Sequence, residues 1–292
     1  FGSSHFGSSA CRVLLRPPSA RFHNRPSTMA SDTKPLAKKL KVFSYPSVPH
    51  VYQLSPFALK LESFLRVAGL PYEVGATMDM GPKGKVPYIE FENGEKVGDS
   101  NVLIAKLTPM CADGGPDAGL TKKQRAVAQA VMRMMEEHTI QIIFWWRYCR
   151  HLPTFERALQ VRERVLCKPF NGCIAGPFIK FWLWSLPREF GDKFKKRGLA
   201  AHSDEELIGF SNDDLRAVSD LLGDGPFFFG EKASTVDCAL FGHLANFLYL
   251  PMHFPQKDFV KEECPNLLHF LERFKQDFWP DWEEKCDTAN NF

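Results

Sequence analysis

The sequence predicts an α+β chain in two parts, a small mixed α/β module followed by an all-α domain, and three observations predict it. Between Leu40 and about Leu107, short β-type runs alternate with helical periodicity. The run PMCADGGPDAG, Pro109 to Gly119, is rich in Gly, Pro and Asp and reads as a linker. Beyond it the β-type runs stop and long helical patterns take over. The expected division is residues 1–39 as a disordered, targeting or upstream segment, 40–108 as the α/β module, 109–119 as linker and 120–286 as the helical domain.

Within the module, LKVFSY reads as a buried strand. SPFALKLESFLRVAGL follows with Phe57, Leu61, Phe64, Leu65 and Ala68 on one helical face, an amphipathic pattern. Ser55 suits the N-cap, Pro56 the first helical residue and Gly69 the stop. Pro71-Tyr-Glu-Val resumes a strand, and KVPYIEF and EKVGDS form a hairpin across Glu92-Asn93-Gly94. Ser100 is expected to cap the helix NVLIAKL. The order β-α-β-β-β-α is that of a thioredoxin-like module.

In the second part, AVAQAVMRMMEEHTIQIIFWW predicts one long helix, with further helices starting near Pro153, Pro187, Asp204, Thr235 and Pro265. Ser234 and Asp237 have capping-box spacing, which gives them a structural role at the start of STVDCALFGHLANFL.

Composition narrows the function classes. A formal net charge of +3 over 292 residues, with no dense basic stripe, points away from nucleic acid. The apolar runs IQIIFWW and CIAGPFIKFWLWSL fall short of the roughly 20 residues of a membrane-spanning helix, so no transmembrane segment is expected. Eight cysteines stand singly with no CxxC pair, and HEXXH is absent around His138, Glu136 and Glu137, so no metal site is expected. Free thiols suit a reducing compartment, hence a cytoplasmic expectation. Residues 1–28 carry Arg12, Arg16, Arg21 and Arg25 and no acid, which suits a mitochondrial transit peptide or sequence upstream of a start at Met29. His243, in an apolar helix, reads as a core histidine.

Four stretches, LSPFALKLESFLRVAGLPYE, PKGKVPYIEFENGEKVGDSN, LLGDGPFFFGEKASTVDCALFGHLANFLYLP and ECPNLLHFLERFKQDFWPDW, carry a family resemblance. The sequence resembles the failed axon connections family, a metaxin-related branch of glutathione-transferase-like proteins that includes cadmium-responsive members. The resemblance implies the cytosolic glutathione-transferase fold, glutathione as substrate and a homodimer. Val86-Pro87 looks like that fold's cis-proline turn, whose backbone would pair with the cysteinyl part of glutathione. Asp99 and Ser100 look like the pair that holds the γ-glutamyl group, carboxylate to ammonium and hydroxyl with helix N-terminus to carboxylate. Lys85, and less directly Lys83, would meet the glycyl carboxylate.

Such chemistry needs a thiolate, whereas a free thiol titrates near ~8.5. A hydroxyl donor at a helix N-terminus lowers that value, and each unit is about 1.4 kcal/mol. Ser55 is the first candidate, with Tyr45 and Tyr52 as alternatives; the long loop PSVPHVYQL separates Tyr45 from Ser55. Ser55 occupies the position of a cysteine in the Cys-Pro-Phe omega class, and a serine cannot form the mixed disulfide of glutaredoxin-type chemistry. Trp145, Trp146 and Tyr148, with Arg147, are candidates to line a pocket for a small hydrophobic electrophile. Two functions follow from this: a glutathione transferase acting on hydrophobic electrophiles or peroxides in detoxification or stress response, or a catalytically weak binding or adaptor protein of the failed axon connections and metaxin type.

Overall fold

The computed structural model describes residues 39–77, 79–160 and 171–287, which all lie within one compact unit, Lys34–Phe292. The reading of residues 1–28 as transit peptide or upstream sequence lies outside the described residues. Strand β1 (Leu40–Ser44) leads through an eleven-residue loop into helix α1 (Pro56–Val67), then β2 (Tyr72–Ala76), β3 (Tyr88–Glu90), β4 (Lys96–Gly98) and α2 (Ser100–Leu107). The sheet order is β2-β1-β3-β4, with β1 parallel to β2 and antiparallel to β3, and β3 antiparallel to β4. Parallel pairing of β1 and β2 requires a crossover, and α1 supplies it.

Local chemistry sets these boundaries. The Ser55 hydroxyl accepts the Ala58 amide at 3.3 Å and Pro56 pre-sets the first turn. At the other end Gly69 takes φ +66°, the left-handed conformation that lets the Leu70 amide reach back to the Leu65 carbonyl at 2.9 Å. In the β3–β4 hairpin Gly94 has φ +81° and the Asn93 side chain accepts the Glu95 amide at 3.0 Å.

The helical part begins with α3 (Lys122–Met134), capped by a reciprocal Thr121–Gln124 box. It continues without a break through a π-helical turn (Met135–Thr139), α4 (Ile140–Phe144) and a second π-helical turn (Trp145–Arg150). Then come α5 (Leu152–Ala158), α6 (Asn171–Lys196), α7 (Asp204–Leu222), α8 (Thr235–Leu248), α9 (Pro255–Glu263), α10 (Pro265–Phe278) and α11 (Trp282–Asp287). Pro187 does not open a helix as expected but sits inside α6. Packing overrides its cost there, because Leu183, Leu186 and Phe194 on the same helix are 5%, 2% and 2% exposed.

The two parts meet where α1 crosses α8. Every α8 residue from Thr235 to Phe247 is buried, and Gly242 brings the two backbones together. On α1, nine residues are buried, including Lys60, Glu62 and Ser63, so this helix is enclosed all round rather than amphipathic. Its two cations, Lys60 and Arg66, find partners across the seam. Lys60 Nζ lies 2.5 Å from Glu136 Oε1 and 2.5 Å from Asn101 Oδ1, and the Asn101 amide reaches Glu136 Oε2 at 2.9 Å. At the other end of α1, Arg66 forms a two-pronged pair with Asp281 at 2.7 and 2.8 Å. The same guanidinium donates to the Phe278 carbonyl and the Tyr72 hydroxyl, and lies 3.9 Å from the centre of the Trp279 ring.

Among the described residues no helix is long and apolar enough to cross a membrane.

Candidate functional site

Strand register gathers the sequence candidates at one end of the sheet. Phe43 pairs with Tyr88 and Tyr88 with Gly98, so Ser44, Pro87 and Asp99 follow at the same edge. The Asp99 amide donates to the Pro87 carbonyl at 3.4 Å, and the Ser44 hydroxyl donates to Gln53 Oε1 at 2.8 Å. That second bond draws the loop before α1 to the same edge, two residues ahead of Ser55. The N-termini of α1 and α2 therefore open beside the Val86-Pro87 peptide, which is cis. Both helix ends carry partial positive charge and unpaired amides, a setting for anionic groups.

Each candidate has a definite placement. Ser55 is buried at the α1 N-cap, and its hydroxyl accepts the Ala58 amide, which leaves its proton to be donated. Asp99, not Ser100, caps α2: its carboxylate accepts the amides of Asn101 and Val102 at 2.9 and 3.2 Å. A carboxylate with two acceptor oxygens suits the positive helix end better than a hydroxyl would. Asp99 also holds φ +86°, a conformation uncommon for any residue but glycine. Ser100 is the buried first residue of α2. Lys83 and Lys85 are exposed on the turn at Gly84, which has φ +62°.

The two tyrosines differ. Tyr45 follows β1 and faces the helical part: its ring is 6.4 Å from Trp182, and its hydroxyl is 3.8 Å from Met80 Sδ. Burial, reinforced by Tyr148 and Glu189, pushes its pKa up to about 12. Tyr52 is 5% exposed and points elsewhere, its ring 5.5 Å from Trp279 and its hydroxyl facing Glu62. Burial pushes it far up as well.

The proposed electrophile pocket separates into three environments. Trp145 stacks on Phe194 at 4.5 Å and donates to Asp204 at 3.3 Å. Trp146 donates to the His253 carbonyl at 3.0 Å and packs on His151. Of the three, Tyr148 alone lies near enough to Tyr45 to act on its ionisation, and it is buried against Phe144, Phe155 and Phe190. This segment is wound as a π-helix, Trp145–Arg150. It changes the rotation between Trp145 and Tyr148, three residues apart, while the adjacent Trp145 and Trp146 point to different sides under either winding.

Several residues that sequence reasoning passed over shape this end of the molecule. Asn101 ties the first turn of α2 to Lys60 and Glu136. Burial raises the Glu136 carboxyl, but the Lys60 charge and the bonds from Lys60 and Asn101 outweigh it and hold the group below its ordinary range. Asn246 on α8 donates to the Gln53 carbonyl at 3.0 Å, fastening the Ser55 loop to the helical part. Trp182 and Glu189 on α6 flank Tyr45. Partners 35 or more residues apart leave no local signal in one sequence.

His243 is a core residue as expected: Nδ1 meets the Ala239 carbonyl at 2.6 Å, and burial pulls its pKa down to about 4. Asp237 accepts the Ser234 amide, the Ser234 hydroxyl and the Phe228 amide at 2.7–2.8 Å, joining the α8 start to the Phe227–Phe229 turn. No three His, Cys, Asp or Glu side chains among the described residues stand together to hold a metal.

A β2-β1-β3-β4 module with helices over its seam, and paired helix N-termini at one sheet edge, defines the glutathione transferase fold. The family description Glutathione S-transferase N-terminal domain matches residues 56–152, and Glutathione S-transferase, C-terminal domain matches residues 211–274. Failed axon connections of Drosophila melanogaster is 33% identical over 92% of this chain, which spans 64% of that protein, less than two thirds of its length. Isoprene-epoxide--glutathione S-transferase of Rhodococcus is 29% identical over 82% of this chain and 99% of its own. Metaxin-2 of Mus musculus is 25% identical over 77% of this chain and 82% of its own. Among solved structures, the β-etherase LigF of Sphingobium aligns with TM-score 0.55 at 18% identity, covering 86% of this chain and 100% of its own. A glutathione S-transferase of Ceriporiopsis subvermispora in complex with glutathione aligns with TM-score 0.54 at 15% identity, covering 82% of this chain and 97% of its own. The chain belongs to the failed axon connections and metaxin-like branch of the glutathione transferase superfamily.

Proposed function

We propose that this protein binds glutathione where α1 and α2 begin, and activates its thiol for attack on a small hydrophobic electrophile or a peroxide. The observation that carries the reading is the convergence of Ser55, Val86-Pro87 and Asp99-Ser100 at one sheet edge. The cysteinyl backbone would pair along Val86. The γ-glutamyl group would meet Asp99, Ser100 and the α2 terminus, and Lys85 would meet the glycyl carboxylate. Ser55 would donate a hydrogen bond to the thiolate, aided by the α1 terminus. Tyr45, kept protonated by burial, is the alternative donor. The Rhodococcus relative, named as a glutathione transferase, supports turnover.

A second reading is a binding or adaptor protein with little turnover. Trp145 is engaged with Phe194 and Asp204, and Trp146 with His151 and the His253 carbonyl, so two of the three expected walls serve other contacts. The relatives named Failed axon connections and Metaxin-2 support this reading as well. A homodimer and a cytoplasmic or mitochondria-associated location belong to the proposal, and sedimentation and imaging of the tagged full chain test them.

Calorimetry with millimolar glutathione, paired with an aromatic-halide conjugation assay, separates the alternatives. Saturable binding with conjugation supports the transferase. Binding without conjugation supports the adaptor. No heat at all removes the glutathione reading.

A further inference from the structure

Arg147 is 0% exposed and, among the described residues, no carboxylate pairs with it. Among the described residues its guanidinium donates to neutral groups alone. It donates to the Asn246 side chain at 3.3 Å, to the Asn246 backbone carbonyl, and to the Tyr148 hydroxyl at 3.4 Å, and its Nε has no partner. Aromatic rings surround it, with Phe144, Tyr148 and Phe155 centred 5.4–5.6 Å away. A second cation, Lys257, shares the Phe254 ring with it. Burial pulls Lys257 down to about 8, eased by Asp258 and deepened by the Arg147 charge. An arginine cannot shed its proton to escape such a site. A desolvated, uncompensated positive charge is costly to the fold alone, and its natural complement is an anion that arrives with a ligand.

The contacts of Arg147 lead toward the proposed glutathione site along two routes. Through Asn246, whose amide holds the Gln53 carbonyl at 3.0 Å, it reaches the loop that sets Ser55. Through the Tyr148 hydroxyl it reaches a residue close enough to Tyr45 to act on its ionisation. Both candidate hydroxyl donors thus rest on neighbours of one buried cation, in a low-dielectric seam where a charge acts at longer range than in water.

Resting on the glutathione reading above, we propose that Arg147 is a positioning residue for the bound thiolate: its unpaired buried charge fixes the Ser55 loop through Asn246 and favours the anionic form of a thiol held there.

The test follows the ultraviolet thiolate absorbance of glutathione bound to the full chain as pH is varied. Arg147→Met is expected to move the ionisation midpoint of the bound thiol up by about one pH unit, roughly a tenfold loss of thiolate at fixed pH. Arg147→Lys, which keeps the charge without the fork, restores most of it. Asn246→Asp places a carboxylate against the guanidinium and is expected to raise the midpoint too, and it serves if Arg147→Met does not fold. Bound glutathione with an unmoved midpoint in Arg147→Met, or in Asn246→Asp when the first variant is unfolded, overturns the role of Arg147 alone. Absence of binding by the unmodified chain overturns it together with the glutathione reading.

Discussion

Gly242 sits against the α1 backbone so closely that a Cβ there would meet the Pro56 carbonyl oxygen at 2.6 Å and the Lys60 amide nitrogen at 2.9 Å. Both are main-chain atoms of a helix packed on its other sides, so neither can yield as a flexible side chain does. Gly242→Ala is therefore expected to push α1 and α8 apart and destabilise the fold by about 3 kcal/mol, despite alanine's better helix propensity. Urea denaturation of the variant measures it, and an unchanged midpoint would show that the seam tolerates separation.

Glu136→Ala should cost more than a typical surface charge change, because it leaves the Lys60 ammonium buried with Asn101 as its remaining partner. Removing one member of a buried pair typically costs about 3–5 kcal/mol. Replacing both, as in Lys60→Met with Glu136→Leu, is expected to recover most of that loss. A double-mutant cycle measured by chemical denaturation decides it; equal damage from the single and double variants would contradict the pairing.

Glu62 gives the fold a pH dependence. Burial, opposed by Lys285, Arg66 and the Tyr52 and Tyr72 hydroxyls, pushes its carboxyl up to about 7 from an ordinary 4.5. The folded state binds this proton more tightly than the unfolded state. The stabilisation is thus complete below the ordinary carboxyl range and is lost as pH rises through about 7. The loss amounts to about 3 kcal/mol. Glu62→Gln is expected to abolish that slope and to be relatively more stable at pH above the transition. Thermal unfolding across this range checks the slope, which would vanish if Glu62 were ionised throughout.

Ser55→Ala removes a cap that accepts the Ala58 amide at 3.3 Å, costing about 1 kcal/mol. Under the proposed function it also lowers the thiolate fraction of bound glutathione by roughly tenfold, one unit of thiol pKa. The two effects are read separately, by denaturation and by ultraviolet absorbance. Lost stability with unaltered absorbance reassigns the donor role to Tyr45 or a backbone amide.

The residues that punctuate the chain were legible from sequence. Ser55-Pro56 starts α1, Gly69 ends it, Asn93-Gly94 turns the hairpin, and the helical pattern from α3 onward marks the second part. What escaped depends on distance or on backbone conformation. Lys60 and Glu62 look like the wet face of an amphipathic helix, yet their surroundings come from residues far along the chain. Trp145 and Trp146 suggest a shared pocket wall by residue type, yet their partners Phe194, Asp204 and His253 lie far along the chain. Asp99 displaced Ser100 as the α2 cap because it adopts a positive φ that residue type alone does not announce. The short helices α9 and α11 carry too few periodic residues to stand out.

The double grip of Arg66 on Asp281 and Trp279 bears on how such a chain can be inherited or dissected. A gene severed at the linker would yield a first fragment with Lys60, Glu62 and Ser63 bare to water and a second whose last turns have lost their anchor. The thioredoxin-like portion is thus not an exchangeable cassette, and recombination that swaps it for a relative's must bring matching residues at positions 136, 242 and 281.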